Sequence, residues 1–136
     1  MDLGEALSFF RRNHRAVLAT RRGDGRPQIS PVVQAVGNDG RILISTRAGA
    51  MKVHNIRRDP RVSICGFSDA FFGRWAQADG PAAIVSLPEA MPLLRYTYFQ
   101  IAGEHPDWEE FERDMAAQQR VVIAITPEAV GPDRAG

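Results

Sequence analysis

The chain has 136 residues, 44% hydrophobic and 24% charged, so residues 1–136 fit one globular domain with a buried core. A formal net charge of +1, with basic residues scattered among acidic ones, creates no positive electrostatic field that would attract nucleic acid. Because no apolar run approaches a membrane span of about 20 residues and the start does not resemble a signal segment, we expect a cytoplasmic protein that binds neither nucleic acid nor membrane.

The first third of the chain predicts one helix followed by a strand hairpin. Residues 2–13 carry apolar side chains at helical spacing, and residues 15–21 read as a strand. A Gly-Asp-Gly turn leads to a second strand at 27–36. Pro31 interrupts this strand, and since proline cannot donate to a ladder, we expect a bulge or a sheet edge near Ser30. Either would leave backbone groups free for a ligand.

The rest of the chain predicts more strands, with helices between them. The further predicted elements are strands at 41–46, 61–67, 74–85 and 120–126 and helices at 88–101 and 107–119. We expect a break at 79–81 and a loosely held tail after Pro127. About six strands joined mostly by tight turns exclude a doubly wound parallel sheet. The predicted fold is mainly β with helices, closed as a six-stranded antiparallel barrel.

Residues 42–62 contain the strongest indication of a ligand site. Ser45 and Thr46 end a strand that leads into a short helix, on which Lys52 and Asn55 are three apart and share a face. Hydroxyls at a strand end, free helix N–H groups and a cation together favour an anion. Lys52 is also the only lysine in the sequence. The alternative interpretation is a surface helix that carries solvated charges.

The usual catalytic constellations are missing from this sequence. Cys65 lies in an apolar strand pattern and is interpreted as a small buried hydrophobe. His14, His54 and His105 have no spacing that places two on one helix face, so we expect no zinc site. The acidic cluster at 107–112 is typical of a solvated helix start. If the protein is an enzyme, a cofactor supplies the chemistry.

Several runs of residues resemble the split β-barrel superfamily of flavin and deazaflavin oxidoreductases, also called pyridoxamine 5'-phosphate oxidase-like or PPOX class. Within it the chain is most similar to small actinobacterial reductases that use the deazaflavin coenzyme F420. The resembling runs are Asp-Gly-Arg-Pro-Gln-Ile-Ser-Pro-Val at 24–32, Ile-Leu-Ile-Ser-Thr at 42–46, Lys52, Asn-Ile-Arg-Arg-Asp-Pro-Arg-Val at 55–62, Ile-Ala-Gly-Glu-His-Pro-Asp-Trp at 101–108 and Arg-Val-Val at 120–122.

This resemblance implies an FMN-binding split barrel that forms a homodimer, with a cofactor site in each groove between subunits. It implies that the cofactor phosphate is bound by Lys52 with Ser45, Thr46 and Asn55. It implies that the deazaflavin ring lies along Gln28, Ser30, Pro31 and Val32. Trp75 would form a wall of the pocket, Arg57 or Arg58 would meet the oligoglutamate tail, and Tyr96 and Tyr98 would be candidates for substrate contact.

The function that the resemblance implies is F420-dependent reduction of an electron-poor small molecule, of the enone, quinone or tetrapyrrole class. One alternative is an FMN-binding oxidase or electron carrier of the same fold. Another is a non-catalytic protein that binds a flavin or tetrapyrrole. Two features depart from the family pattern: Ala50 stands where some relatives carry a basic residue, and the Phe71-Phe72 connection is not assigned to a motif. The chain also lacks the arginine-containing C-terminal segment of true pyridoxamine phosphate oxidases, so we do not expect that activity.

Overall fold

The computed structural model describes residues 1–132, which form four helices and eight strands. The helices are α1 (Leu3–Arg12), α2 (Met51–Arg58), α3 (Ala90–Ala102) and α4 (Trp108–Ala117). The strands are β1 (Arg15–Arg21), β2 (Pro27–Val33), β3 (Ala35–Val36), β4 (Ile42–Arg47), β5 (Arg61–Phe67), β6 (Trp75–Val85), β7 (Arg120–Ile125) and β8 (Ala129–Gly131). Every predicted helix and strand is therefore present.

The strands form one curled antiparallel sheet in the order β2, β1, β5, β6, β7, β4, β3, and β8 pairs with β6. The predicted fold class, mainly β with helices in a split barrel, is confirmed. The strand count exceeds the predicted six because the second predicted strand is divided and because the chain end adds β8. The segment after Pro127 was expected to be loosely held, yet Ala129–Gly131 is paired; the remainder of that segment, 133–136, lies outside the described residues.

Gln34 divides the second predicted strand and closes the barrel. Its side chain is fully buried, and the amide Nε2 donates to the carbonyl oxygens of Phe10 and Asn13 at 2.9 and 2.8 Å. Its backbone N–H donates to the carbonyl of His14. The strands on either side of Gln34, β2 and β3, lie at opposite ends of the sheet order. This one residue therefore joins the two ends of the sheet, so the hydrogen bonds that hold it help to set the closure.

Strand β6 is continuous where the sequence predicted a break at 79–81. Its first part pairs with β5, as far as Pro81 opposite Arg61, and its second part pairs with β7 from Ala82 opposite Ile125. The Gly-Pro step is thus the point at which one strand passes from one half of the barrel to the other. The predicted break was wrong because a change of partner strand and a strand end have the same sequence pattern.

The barrel core is closed by α1 and extended on the other side by α3 and α4. Phe9 and Phe10 of α1 pack against the inward residues of the strands, such as Leu18 and Ile64. The helices α3 and α4, inserted between β6 and β7, form a second apolar cluster with β4 and β7. Strand β1 shows the alternation of buried and exposed positions expected of a half-buried strand. Within residues 1–132, no helix has the length and apolar character needed to cross a membrane.

Candidate functional site

A groove of about 770 Å³ lies between the edge strand β2, the end of β4, helix α2 and the helix pair α3 and α4. This volume is in the range of sites that take a cofactor-sized molecule. Of the nine residues that the sequence analysis assigned to the cofactor, five line this groove: Lys52, Ser45, Thr46, Pro31 and Val32. The structure thus brings together the polar strand end, the lysine and part of the interrupted strand, which are separated in sequence.

The cationic end of the groove is formed where β4 passes into α2. Ser45 and Thr46 lie within β4, opposite Val122 and Val121 of β7, rather than at the helix start. A turn over residues 47–50 follows, closed by the Ala50 N–H donating to the Arg47 carbonyl at 3.1 Å. Helix α2 then begins at Met51, which places Lys52 in its first turn. The half-buried Lys52 lines the groove together with Ser45 and Thr46, and a lysine beside hydroxyl-bearing residues is suited to an anion.

The opposite wall is the sheet edge predicted near Ser30. Strand β2 is terminal in the sheet and, within residues 1–132, pairs with β1 alone, so one side of its backbone has no strand partner there. Pro31, Val32 and Val33 of this strand line the groove. The edge prediction is therefore confirmed, and it places backbone groups where a planar polar ligand can reach them.

Asn55 and Gln28 do not line the groove, because their amides take part in a structural network. The Asn55 Nδ2 donates to the Thr20 hydroxyl at 3.1 Å, and that hydroxyl donates to the Gln28 Oε1 at 3.2 Å. The Asn55 Oδ1 also accepts from Arg58, whose guanidinium donates in addition to the Arg21 carbonyl. Asn55 is 1% exposed. Asn55 thus links α2 to β1, and the Arg58 guanidinium donates its hydrogen bonds within the protein, to Asn55 and Arg21.

Ser30 and Trp75 also lie away from the groove lining. The Ser30 hydroxyl is buried and has no hydrogen-bond partner among residues 1–132. Trp75 is half-buried at the start of β6, directly opposite Phe67 of β5, on the outer face of the sheet. Phe67 lines the groove, so Trp75 is one strand removed from it. The predicted wall position of Trp75 is not present within one chain.

Helices α3 and α4 supply an apolar wall that the sequence analysis did not assign to the site. Its apolar residues are Leu94, Ile101, Phe111 and Met115. Thr97 lies among them, 2% exposed, and its hydroxyl has no partner among the described residues. Both helices were predicted from sequence, but only the fold shows that their apolar faces reach the groove.

The two tyrosines considered for substrate contact are placed differently. Tyr98 lines the groove, with its ring 5.0 to 5.9 Å from those of His105, Trp108 and Phe111. Tyr96 donates its hydroxyl to the Val36 carbonyl at 2.7 Å and is absent from the groove lining. Tyr98 is therefore the better placed of the two for contact with a bound molecule.

The acidic cluster takes the structural role assigned to it, whereas Cys65 is half-buried on the face of β5 opposite to Val62 and Ile64, rather than buried as expected. Burial raises the pKa of the Cys65 thiol, which keeps it protonated and unreactive at neutral pH. Asp107 caps α4 by accepting from the Glu110 N–H at 3.1 Å. Neither group lines the groove.

Comparison with known proteins places this geometry in a family. The profile of the pyridoxamine 5'-phosphate oxidase family matches residues 3–132. A conserved hypothetical protein from Mycobacterium tuberculosis is similar with a TM-score of 0.79 and 28% identity, over 96% of this chain and 82% of that chain. A structure named F420 reductase has a TM-score of 0.70 and 22% identity, over 91% and 94%. A putative pyridoxamine 5'-phosphate oxidase from Listeria innocua has a TM-score of 0.69 and 17% identity, over 95% of both chains. With nearly its whole length matched, the chain belongs to the pyridoxamine 5'-phosphate oxidase family and has its split-barrel oxidoreductase fold.

Proposed function

We propose that this protein is an F420-dependent reductase that transfers hydride from reduced deazaflavin to an electron-poor small molecule, of the enone, quinone or tetrapyrrole class. The observation that carries the proposal is the groove that joins Lys52, Ser45 and Thr46 to the free edge of β2. A phosphate-bearing ring cofactor needs both features, since the first binds the anion and the second offers backbone groups to the polar ring edge.

The described residues fit such a cofactor. The groove has a cationic end at Lys52 and an apolar wall from α3 and α4, which matches a molecule with a phosphate at one end and a flat ring system. The Thr97 hydroxyl is buried behind this wall, with no hydrogen-bond partner in the part of the chain that the structure describes. Because this hydroxyl is not open to the groove, the wall presents mainly apolar surface to a bound ring.

Each part of the groove has a defined task in this proposal. Lys52 binds the phosphate, assisted by the Ser45 and Thr46 hydroxyls. Pro31 and Val32 hold the ring along the edge strand, and the apolar wall excludes water from the reacting face. Reduced F420, when bound, supplies the hydride. Tyr98 is placed to contact the acceptor, so the chain's contribution is binding, orientation and exclusion of solvent.

Separate fluorescence titrations with F420 and with FMN test the choice of cofactor. We expect micromolar or tighter binding of F420 and weaker binding of FMN, because three charge-assisted contacts offset the cost of association to about that level. The structure named F420 reductase supports this choice, and the resemblance of 55–62 to the F420 branch supports it further. Tighter binding of FMN, together with a yellow purified protein, would transfer the proposal to the flavin branch. Binding of neither would refute it.

We also propose that the protein works as a homodimer. The outer face of β2, β1, β5 and β6 carries apolar side chains, with Ile29 61% exposed and Val33 46% exposed. Trp75 and Phe67 lie on the same face by register. Pairing two copies across this face would cover the exposed edge strand and bring Trp75 of one subunit toward the groove of the other.

Sedimentation equilibrium tests the dimer. We expect a mass of twice 15.0 kDa for the unaltered protein, and we expect Ile29→Glu to weaken self-association at least tenfold because it buries an unpaired charge. The matched control is Phe99→Glu, since Phe99 is 47% exposed on α3 and lies away from this face. A monomeric unaltered protein, or equal effects of both substitutions, would contradict the proposed interface.

A further inference from the structure

Two arginines face each other across strands β4 and β7. Arg47 at the end of β4 is directly opposite Arg120 at the start of β7. Residues directly opposite in an antiparallel pair share a face of the sheet, and like charges there repel each other. Neither arginine has a carboxylate partner among residues 1–132: the Arg120 Nε donates to the Gln118 Oε1 at 2.8 Å, and Arg47 makes no ion pair.

Register distinguishes this pair among residues 1–132, since it is the one cross-strand pair that sets two arginines directly opposite each other. Six other arginines lie beside a carboxylate, and these are Arg15, Arg21, Arg26, Arg41, Arg61 and Arg95. Burial, and secondarily the charge of Arg47, lowers the pKa of Arg120. Two unneutralised guanidinium groups are thus held together at a cost to the folded state.

A second groove, of about 660 Å³, is lined by both arginines, by the turn over 48–50 and by the end of α4. Helix α2 starts at this turn, and no side chain of the described residues caps its first N–H groups. Thr46 and Arg120 line both this groove and the larger one that holds Lys52. The two grooves therefore adjoin at these two residues, within reach of one extended ligand.

We propose that Arg47 and Arg120 bind the carboxylates of the oligoglutamate tail of F420, beyond the phosphate at Lys52. This inference rests on the proposed function, because it names a further contact of the same cofactor. Guanidinium groups bind carboxylates through paired N–H donors, and an anion between two arginines removes their repulsion. Of the two arginines that the resemblance suggested for the tail, Arg58 is occupied by Asn55 and the Arg21 carbonyl. Arg57 lies outside both groove linings.

The test compares F420 that carries several glutamates with the form that carries none. Dissociation constants are measured by fluorescence titration for the unaltered protein, for Arg47→Gln, for Arg120→Gln and for the double variant. We expect each single substitution to weaken the tail-bearing form about threefold to fivefold, as for a partly exposed ion pair, and the double variant about tenfold. The tailless form should change less than twofold.

Arg57→Gln is the matched control, since it removes the same charge from the neighbouring helix, and it should leave both forms within twofold. Thermal unfolding is the control for folding: removal of either like charge should leave Tm equal or higher. Equal losses for both forms of the cofactor would overturn the proposal, as would no loss, or a loss confined to Arg57→Gln. If the unaltered protein bound neither form, the proposed function itself would be refuted and this inference with it.

Discussion

Gly80→Ala is expected to lower the free energy of unfolding by about 3 kcal/mol or more, a large part of the 5 to 15 kcal/mol that stabilises a typical domain. A Cβ at Gly80 would lie 1.9 Å from the carbonyl oxygen of Thr126. The obstacle is backbone, and it is fixed on both sides: the Thr126 N–H donates to the Pro81 carbonyl at 2.9 Å and the Glu128 N–H donates to the Asp79 carbonyl at 2.8 Å. Neither segment can move away without breaking these hydrogen bonds at the point where β6 changes partner.

Urea denaturation followed by circular dichroism measures this effect. Gly49→Ala is the control, because nothing lies within 4 Å of the position of its added Cβ and its backbone is not in the left-handed region. We expect the control to change the free energy of unfolding by no more than about 0.5 kcal/mol. A Gly80→Ala protein as stable as the control would show that the approach of Thr126 is not a constraint on the fold.

Local patterns in the sequence predicted the fold class and the bounds of most elements. Alternation along β1, the turn after it and Pro31 in β2 are local signals, and the structure confirms the strand, the hairpin and the sheet edge. The strand end at Ser45 and Thr46 and the following helix with Lys52 are local in the same sense. These residues accordingly meet in one groove.

The features that sequence did not show depend on pairing across the sheet. No local pattern shows that Arg47 lies opposite Arg120. The two residues are 73 positions apart in sequence, and only the pairing of β4 with β7 brings them together. Asn55 shows the same limit. Its spacing from Lys52 predicted that both side chains share a face of α2. The Asn55 side chain is instead buried and donates to the Thr20 hydroxyl of β1, a contact that only the packing of α2 on the sheet creates.

Lys52→Ala is expected to weaken F420 binding at least tenfold. Lys52 is the lysine in the first turn of α2 and lies on the groove wall with Ser45 and Thr46, so its ammonium is the cation placed to meet the cofactor phosphate. A hydrogen bond to a charged group contributes about 1.5 to 3 kcal/mol, and a loss of 1.4 kcal/mol is tenfold in affinity. Because Lys52 is half-buried, we expect the lower end of that range. The measurement is a fluorescence titration of both proteins under identical salt.

Two companion variants separate charge from packing in this result. Lys52→Met keeps the apolar stem and should lose as much affinity as Lys52→Ala, whereas His54→Ala, an exposed position on the same helix, should lose none.

The single lysine of the sequence allows a second measurement. Bound F420 should slow the acylation of the Lys52 amine by a water-soluble ester, and the F420 concentration that gives half of this effect should equal the measured dissociation constant. If Lys52→Ala bound F420 as tightly as the unaltered protein, or if F420 did not change the rate of Lys52 acylation, the cofactor phosphate would bind elsewhere. The charges of α2 would then be those of a solvated surface helix.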